Sequence, residues 1–119
     1  MTKLVIVKFG GSAIGPDGVF IPEIIQRIND LKKKSKLIAV FSAPLTIHNG
    51  EKHSLTDIVL EQGKNAENGI TPSLEIIKST YQKILKIIKL EDRESCNGII
   101  DTYLEKTKKA LDEAVENKE

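Results

Sequence analysis

The sequence predicts an α/β fold in which parallel strands precede a helical subdomain. Three observations carry that expectation. Two short runs rich in β-branched and apolar residues, Leu4–Val7 and Leu37–Phe41, read as buried strands. A helical spacing of apolar residues lies between them, and from Ser54 onward only helical periodicity is found.

Strands are expected at 3–8 and 37–42. Pro16, Asp17 and Gly18 are turn residues, and Pro22 suits the first turn of a helix. Ile24, Ile25, Ile28 and Leu31 keep helical spacing until the lysine run Lys32, Lys33, Lys34 and Lys36. Strand, helix and strand within about forty residues make a βαβ unit with parallel strands. Residues 43–53, broken by Pro44, Asn49 and Gly50, read as a mobile loop. Ser54 is the expected N-cap of the next helix, paired with Asp57 in a capping-box-like arrangement. Two long helices follow, at 73–90 and 95–116, joined by a short turn at 91–95. Leu74, Ile77, Tyr81, Ile84, Leu85 and Ile88 share one face of the first; Ile99, Ile100, Tyr103, Leu104, Ala110, Leu111 and Ala114 point inward from the second. Residues 1–64 thus form a βαβ motif plus a helix, and 72–116 an antiparallel helical subdomain.

Composition narrows the function classes. Eighteen basic against seventeen acidic residues leave a net charge of +1, which argues against a nucleic-acid or membrane partner. No apolar run reaches the roughly 20 residues of a transmembrane helix, and no signal-peptide pattern opens the chain, so a cytoplasmic address is expected. Cys96 is the lone cysteine, which excludes an internal disulfide. His48 and His53 flank Glu51 as solvated loop residues, and no metal site is expected. Two strands alone cannot make a stable open sheet, which predicts further strands from a partner or from a longer chain.

The stretch "VKFGGSAIG" raises the question of chemistry. Lys8 ends the first strand, and ligands of open α/β sheets bind at that strand end. Gly10 and Gly11 carry no Cβ, so the backbone can approach a ligand closely. Backbone N–H groups around Gly10, Gly11 and Ser12 could form an anion nest, with Lys8 adding a point charge for a transferring phosphate. Neither the Walker A loop nor the G-x-G-x-x-G fingerprint is matched.

"VKFGGSAI" after the first strand resembles the N-terminal signature of the amino acid kinase family, aspartokinases in particular. "LIAVFSAP" is similar to that family's second-strand motif, and "SLTDIVLEQG" to the T-[ND]-x-L that opens its next helix. The resemblance implies a fold that is the N-terminal part of a three-layer α/β/α sandwich. It implies ATP-dependent phosphorylation of the L-aspartate β-carboxylate, on the path to lysine, threonine and methionine, with ATP and Mg2+ as cofactors. It implies that Lys8, as the catalytic residue, meets the ATP phosphates, that Gly10, Gly11 and Ser12 donate to the same phosphates or to the attacking carboxylate, and that Ser42 and Thr56 hold the amino-acid substrate. Partners implied are aspartate, ATP, and either a homo-oligomer or the remainder of a kinase chain.

Ala13 stands where the family pattern has serine, and an inserted "IHNGEKHS" widens the spacing from Ser42 to Thr56. Thr46 is the rival to Thr56 for the substrate role. The family's later Ser-x-Gly-Glu segment and its nucleotide-binding half have no counterpart in these 119 residues. The expectation is therefore no aspartate-dependent ADP release by this chain alone. A non-catalytic anion-binding or helical interaction module is the alternative reading.

Overall fold

Strand β1 (Lys3–Phe9) pairs in parallel with β2 (Ser35–Phe41), in register from Lys3 opposite Ser35 to Phe9 opposite Phe41. Both strands lie within a residue or two of their expected bounds. The computed structural model describes residues 3–117 and divides into two compact units, Met1–Ser54 and Leu55–Glu119.

In the first unit, β1 runs into the one-turn helix α1 (Gly11–Ile14) and then α2 (Ile21–Lys32), which carries Pro22 in its first turn. Phe9, Ile14 and Ile24 form the buried core, with Val7, Ile21, Ile28 and Ala39 packed against them. Side chains alternate along a strand, so Val5, Val7 and Phe9 of β1 and Leu37 and Ala39 of β2 supply this covered face. Leu4 and Ile6 of β1 and Ile38 and Val40 of β2 alternate with it and are exposed; Ile6 keeps 68% of its surface. Parallel sheets are normally covered on both faces. Within this unit the sheet has two strands and one covered face, so a three-layer arrangement is not shown.

Residues 43–53 are a correction to the expected mobile loop. Strands β3 (Leu45–His48) and β4 (Glu51–Ser54) form an antiparallel hairpin closed by Asn49 and Gly50. Both turn residues have positive φ, 53° and 77°, the pattern of a type I′ turn. Asparagine and glycine tolerate that conformation, and its twist matches the twist of the strands. The Asn-Gly pair outweighed the polar character of its surroundings.

The second unit is helical: α3 (Leu55–Glu67), α4 (Glu75–Leu85) and α5 (Leu90–Glu116). Helix α3, expected with the βαβ motif, belongs to this unit. Ser54, the expected N-cap paired with Asp57, ends β4 and immediately precedes α3, which is the N-cap position. The α3 helix closes at Gly69, whose φ of 73° lets Ile70 N–H return to the Asn65 carbonyl at 2.8 Å.

Helices α4 and α5 are antiparallel, as expected. Gln82 near the end of α4 donates to Asn97 near the start of α5 at 3.2 Å, while Leu74 and Lys78 share a groove with Leu104 and Lys108. The turn between them falls at residues 86–89, earlier than expected. It is tied down by Arg93, which donates to the carbonyls of Lys86 and Ile88.

The inward face of α5 also differs from the reading. Leu111 is buried and Ile100, Leu104 and Ala114 are half-buried, whereas Ile99, Tyr103 and Ala110 are exposed. Positions 100, 104, 107, 111 and 114 keep a strict helical stripe, and Ile99 and Tyr103 lie beside it. Tyr81 on α4 is half-buried, and loss of solvent raises its phenol above the ordinary value.

Candidate functional site

The two parallel strands end side by side, and this places the sequence-derived site residues. Lys8 pairs across from Val40, and Ser42 continues the ladder by donating its N–H to the Phe9 carbonyl at 2.9 Å. Phe9 and Phe41 stack at 5.3 Å between ring centroids, which locks the two strand ends together. Gly10 and Ser42 are therefore neighbours at the C-terminal edge of the sheet. Lys8 alternates onto the same face as Leu4 and Ile6, is exposed, and has no ion-pair partner among the described residues. Its charge is available to an incoming anion.

The glycine turn takes a different form from the expected nest. Gly10 has φ −75° and ψ 173°, extended backbone, and caps the single turn Gly11–Ile14. Ile14 N–H returns to the Gly10 carbonyl at 3.0 Å and Gly15 N–H to that of Gly11 at 2.9 Å. The first N–H groups of such a turn have no acceptor within it, so those of Gly11 and Ser12 are left as donors. Ser12 is exposed and adds a hydroxyl.

The glycines here serve distinct ends. A Cβ on Gly10 would meet nothing within 4 Å, so packing does not explain the glycine. A Cβ on Gly11 would lie 3.1 Å from the Leu45 side chain of β3, so Gly11 lets the hairpin sit close. Gly15 is required by its backbone, with φ 79° and ψ 162°. Of these three, Gly10 is the one with open space around it, next to Lys8 and Ser42.

Of the two threonines, Thr46 is only 3% exposed, and its hydroxyl donates to the Asp17 carboxylate at 3.1 Å. Its hydrogen-bonding capacity is committed within the fold. Thr56 is exposed in the first turn of α3 and belongs to the second unit, whereas Lys8, Gly10, Gly11, Ser12 and Ser42 stand together in the first. Sequence reasoning missed Asp17 and Leu45, the residues that seat the hairpin beside the glycine turn. The Asn-Gly pair was the available signal, since recognising a hairpin would have made Leu45 and Thr46 strand residues.

No group of three or more His, Cys, Asp or Glu among the described residues could hold a metal ion. His48 and His53 meet edge-on at 6.2 Å with Glu51 3.9 Å from His53, on the exposed hairpin. No helix among the described residues is long and apolar enough to cross a membrane.

The model of the amino acid kinase family matches residues 3–114, nearly the whole chain. The protein belongs to the amino acid kinase family. Neither the curated proteins nor the solved structures compared with the chain contain a match. Membership implies a kinase, a phosphotransferase acting on amino acids or their derivatives. For such an amino acid kinase, the first unit presents a cation, open backbone donors and two exposed hydroxyls at one sheet edge. Phosphoryl transfer asks for groups of that kind, because its catalysis is mostly positioning and charge stabilisation.

Proposed function

We propose that this amino acid kinase chain is the N-terminal part of an aspartate kinase, which uses ATP to phosphorylate the β-carboxylate of L-aspartate. Gly10 is the observation that carries the phosphate assignment: at the strand ends, beside Ser42, stands a glycine which neither backbone strain nor packing requires, two residues after a lysine with no ion-pair partner among the described residues. Lys8 offsets charge on the transferred group, the N–H groups of Gly11 and Ser12 hold its oxygens, and Ser42 orients the acceptor; Thr56 is assigned to the acceptor by its motif alone. The aspartate assignment rests on the ordered motifs "VKFGGSAI", "LIAVFSAP" and "SLTDIVLEQG". The acceptor needs no general base, since its carboxylate is already ionised near neutral pH. Mg2+ belongs to the proposal as a companion of ATP, with no ligands assigned in this chain.

The 119 residues supply groups for phosphate and acceptor but no assigned pocket for adenine or ribose. The test is activity of the chain alone and of the chain joined to an aspartokinase nucleotide-binding half, with the acyl phosphate trapped by hydroxylamine. The joined protein is expected to act on aspartate in preference to glutamate; the chain alone should release no aspartate-dependent ADP. Turnover by the chain alone, or equal use of glutamate, would overturn the assignment.

A further inference from the structure

We infer that Thr46 and Asp17 form a positioning pair through which the β3–β4 hairpin holds the glycine turn in place. The inference deepens the phosphate reading above and rests on it for its ligand arm.

Thr46 is nearly inaccessible in a hairpin whose tip is exposed. A buried hydroxyl is costly unless bonded, and this one donates to Asp17 Oδ1 at 3.1 Å. Asp17 sits at φ 55°, a left-handed turn position that aspartate tolerates better than most residues. The contact is reinforced on both sides. Asp17 N–H donates to the Leu45 carbonyl at 2.8 Å, and Pro16 bridges Leu45 in parallel. The side chain of Leu45 then lies against Gly11, close enough that a Cβ there would stand 3.1 Å away.

The hairpin thus grips the 10–18 loop at its far end through Asp17 and at its near end through Leu45. Glycine-rich backbone has little conformational preference of its own, so its donors keep one arrangement only if something outside the turn fixes them. The Thr46 hydroxyl and the Asp17 carboxylate provide that restraint by a part-buried, charge-assisted hydrogen bond.

The experiment is amide hydrogen exchange on the full chain, with tripolyphosphate as the ligand probe followed at the Gly10, Gly11 and Ser12 amides. Thr46→Val keeps the shape and removes the hydroxyl; Asp17→Gly keeps the left-handed turn and removes the carboxylate. Each should speed exchange at Ile14 and Gly15 by roughly tenfold and weaken tripolyphosphate binding by a similar factor, leaving β1 and β2 amides unchanged. Thr46→Ser should restore wild-type exchange, and the double variant should be no worse than Asp17→Gly alone. Unchanged exchange at Ile14 and Gly15 in both variants would overturn the inference. So would equal acceleration throughout β1 and β2, which marks general loss of stability, or additive effects in the double variant. A wild-type chain blind to tripolyphosphate would overturn the phosphate reading, and the exchange comparison would still decide the pair.

Discussion

Replacing Gly10 by alanine separates a glycine kept for folding from one kept for a ligand. Its backbone, φ −75° and ψ 173°, is open to any residue, and an added Cβ meets nothing within 4 Å. Two small effects oppose each other. Alanine restricts the unfolded chain, which stabilises by about 0.4–1 kcal/mol. Alanine is also a poorer N-cap than glycine, which costs about 0.5–1 kcal/mol. The net change in stability is expected to lie within about 0.5 kcal/mol of zero.

Gly15 is the contrast. Its backbone region is almost exclusive to glycine, at a cost of about 1–3 kcal/mol for other residues. A Cβ there would stand 2.6 Å from Phe20 and 2.7 Å from Val19, which adds roughly 1–3 kcal/mol of overpacking. Urea unfolding should therefore show Gly10→Ala overlaying the wild type and Gly15→Ala losing much of a small domain's stability. Tripolyphosphate titration followed at the Gly11 and Ser12 amides should show Gly10→Ala binding at least about tenfold more weakly, because the methyl occupies the space an anion must enter. Wild-type binding by a stable Gly10→Ala chain would refute the reasoning, since Gly10 would then face no ligand. A loss of stability above about 2 kcal/mol would refute it from the other side, by giving Gly10 a folding role.

Lys8→Ala should leave unfolding unchanged, because the side chain is exposed and has no ion-pair partner among the described residues, but should abolish most activity of the chain joined to a nucleotide-binding half. Leu111→Ala should cost about 2–5 kcal/mol in urea unfolding, whereas Ile99→Ala should stay within about 0.5 kcal/mol, reversing the equal weight the sequence gives them. Tyr81 has a raised phenol pKa in the fold, so its burial stabilises fully below the ordinary value near 10 and less as the pH climbs through the raised one. Unfolding measured from pH 9 upward should show an alkaline loss of stability that Tyr81→Phe removes.

Local patterns in the sequence carried most of the first unit. The apolar runs at Leu4–Val7 and Leu37–Phe41 are periodic over enough residues to mark strands, and the helix between them leaves only a parallel pairing within reach. The strand-end position of Lys8, the glycines and Ser42 follows from that pairing, so their gathering at one edge is legible in the chain itself. The helices α4 and α5 were legible as elements, but the face of α5 was not. Ile99 and Ile100, or Tyr103 and Leu104, are adjacent apolar residues, and a sequence cannot say which of two neighbours turns inward until another helix packs there. The hairpin's place was decided by tertiary contacts for the same reason. Thr46 and Asp17 lie 29 residues apart, and nothing local distinguishes a threonine that holds a loop from one that holds a substrate. The glycines divide likewise: Gly15 is fixed by its own backbone dihedrals, Gly11 by a leucine more than thirty positions away, and Gly10 by the space left empty around it. Periodicity is a property of the chain, whereas proximity exists only once the chain has folded.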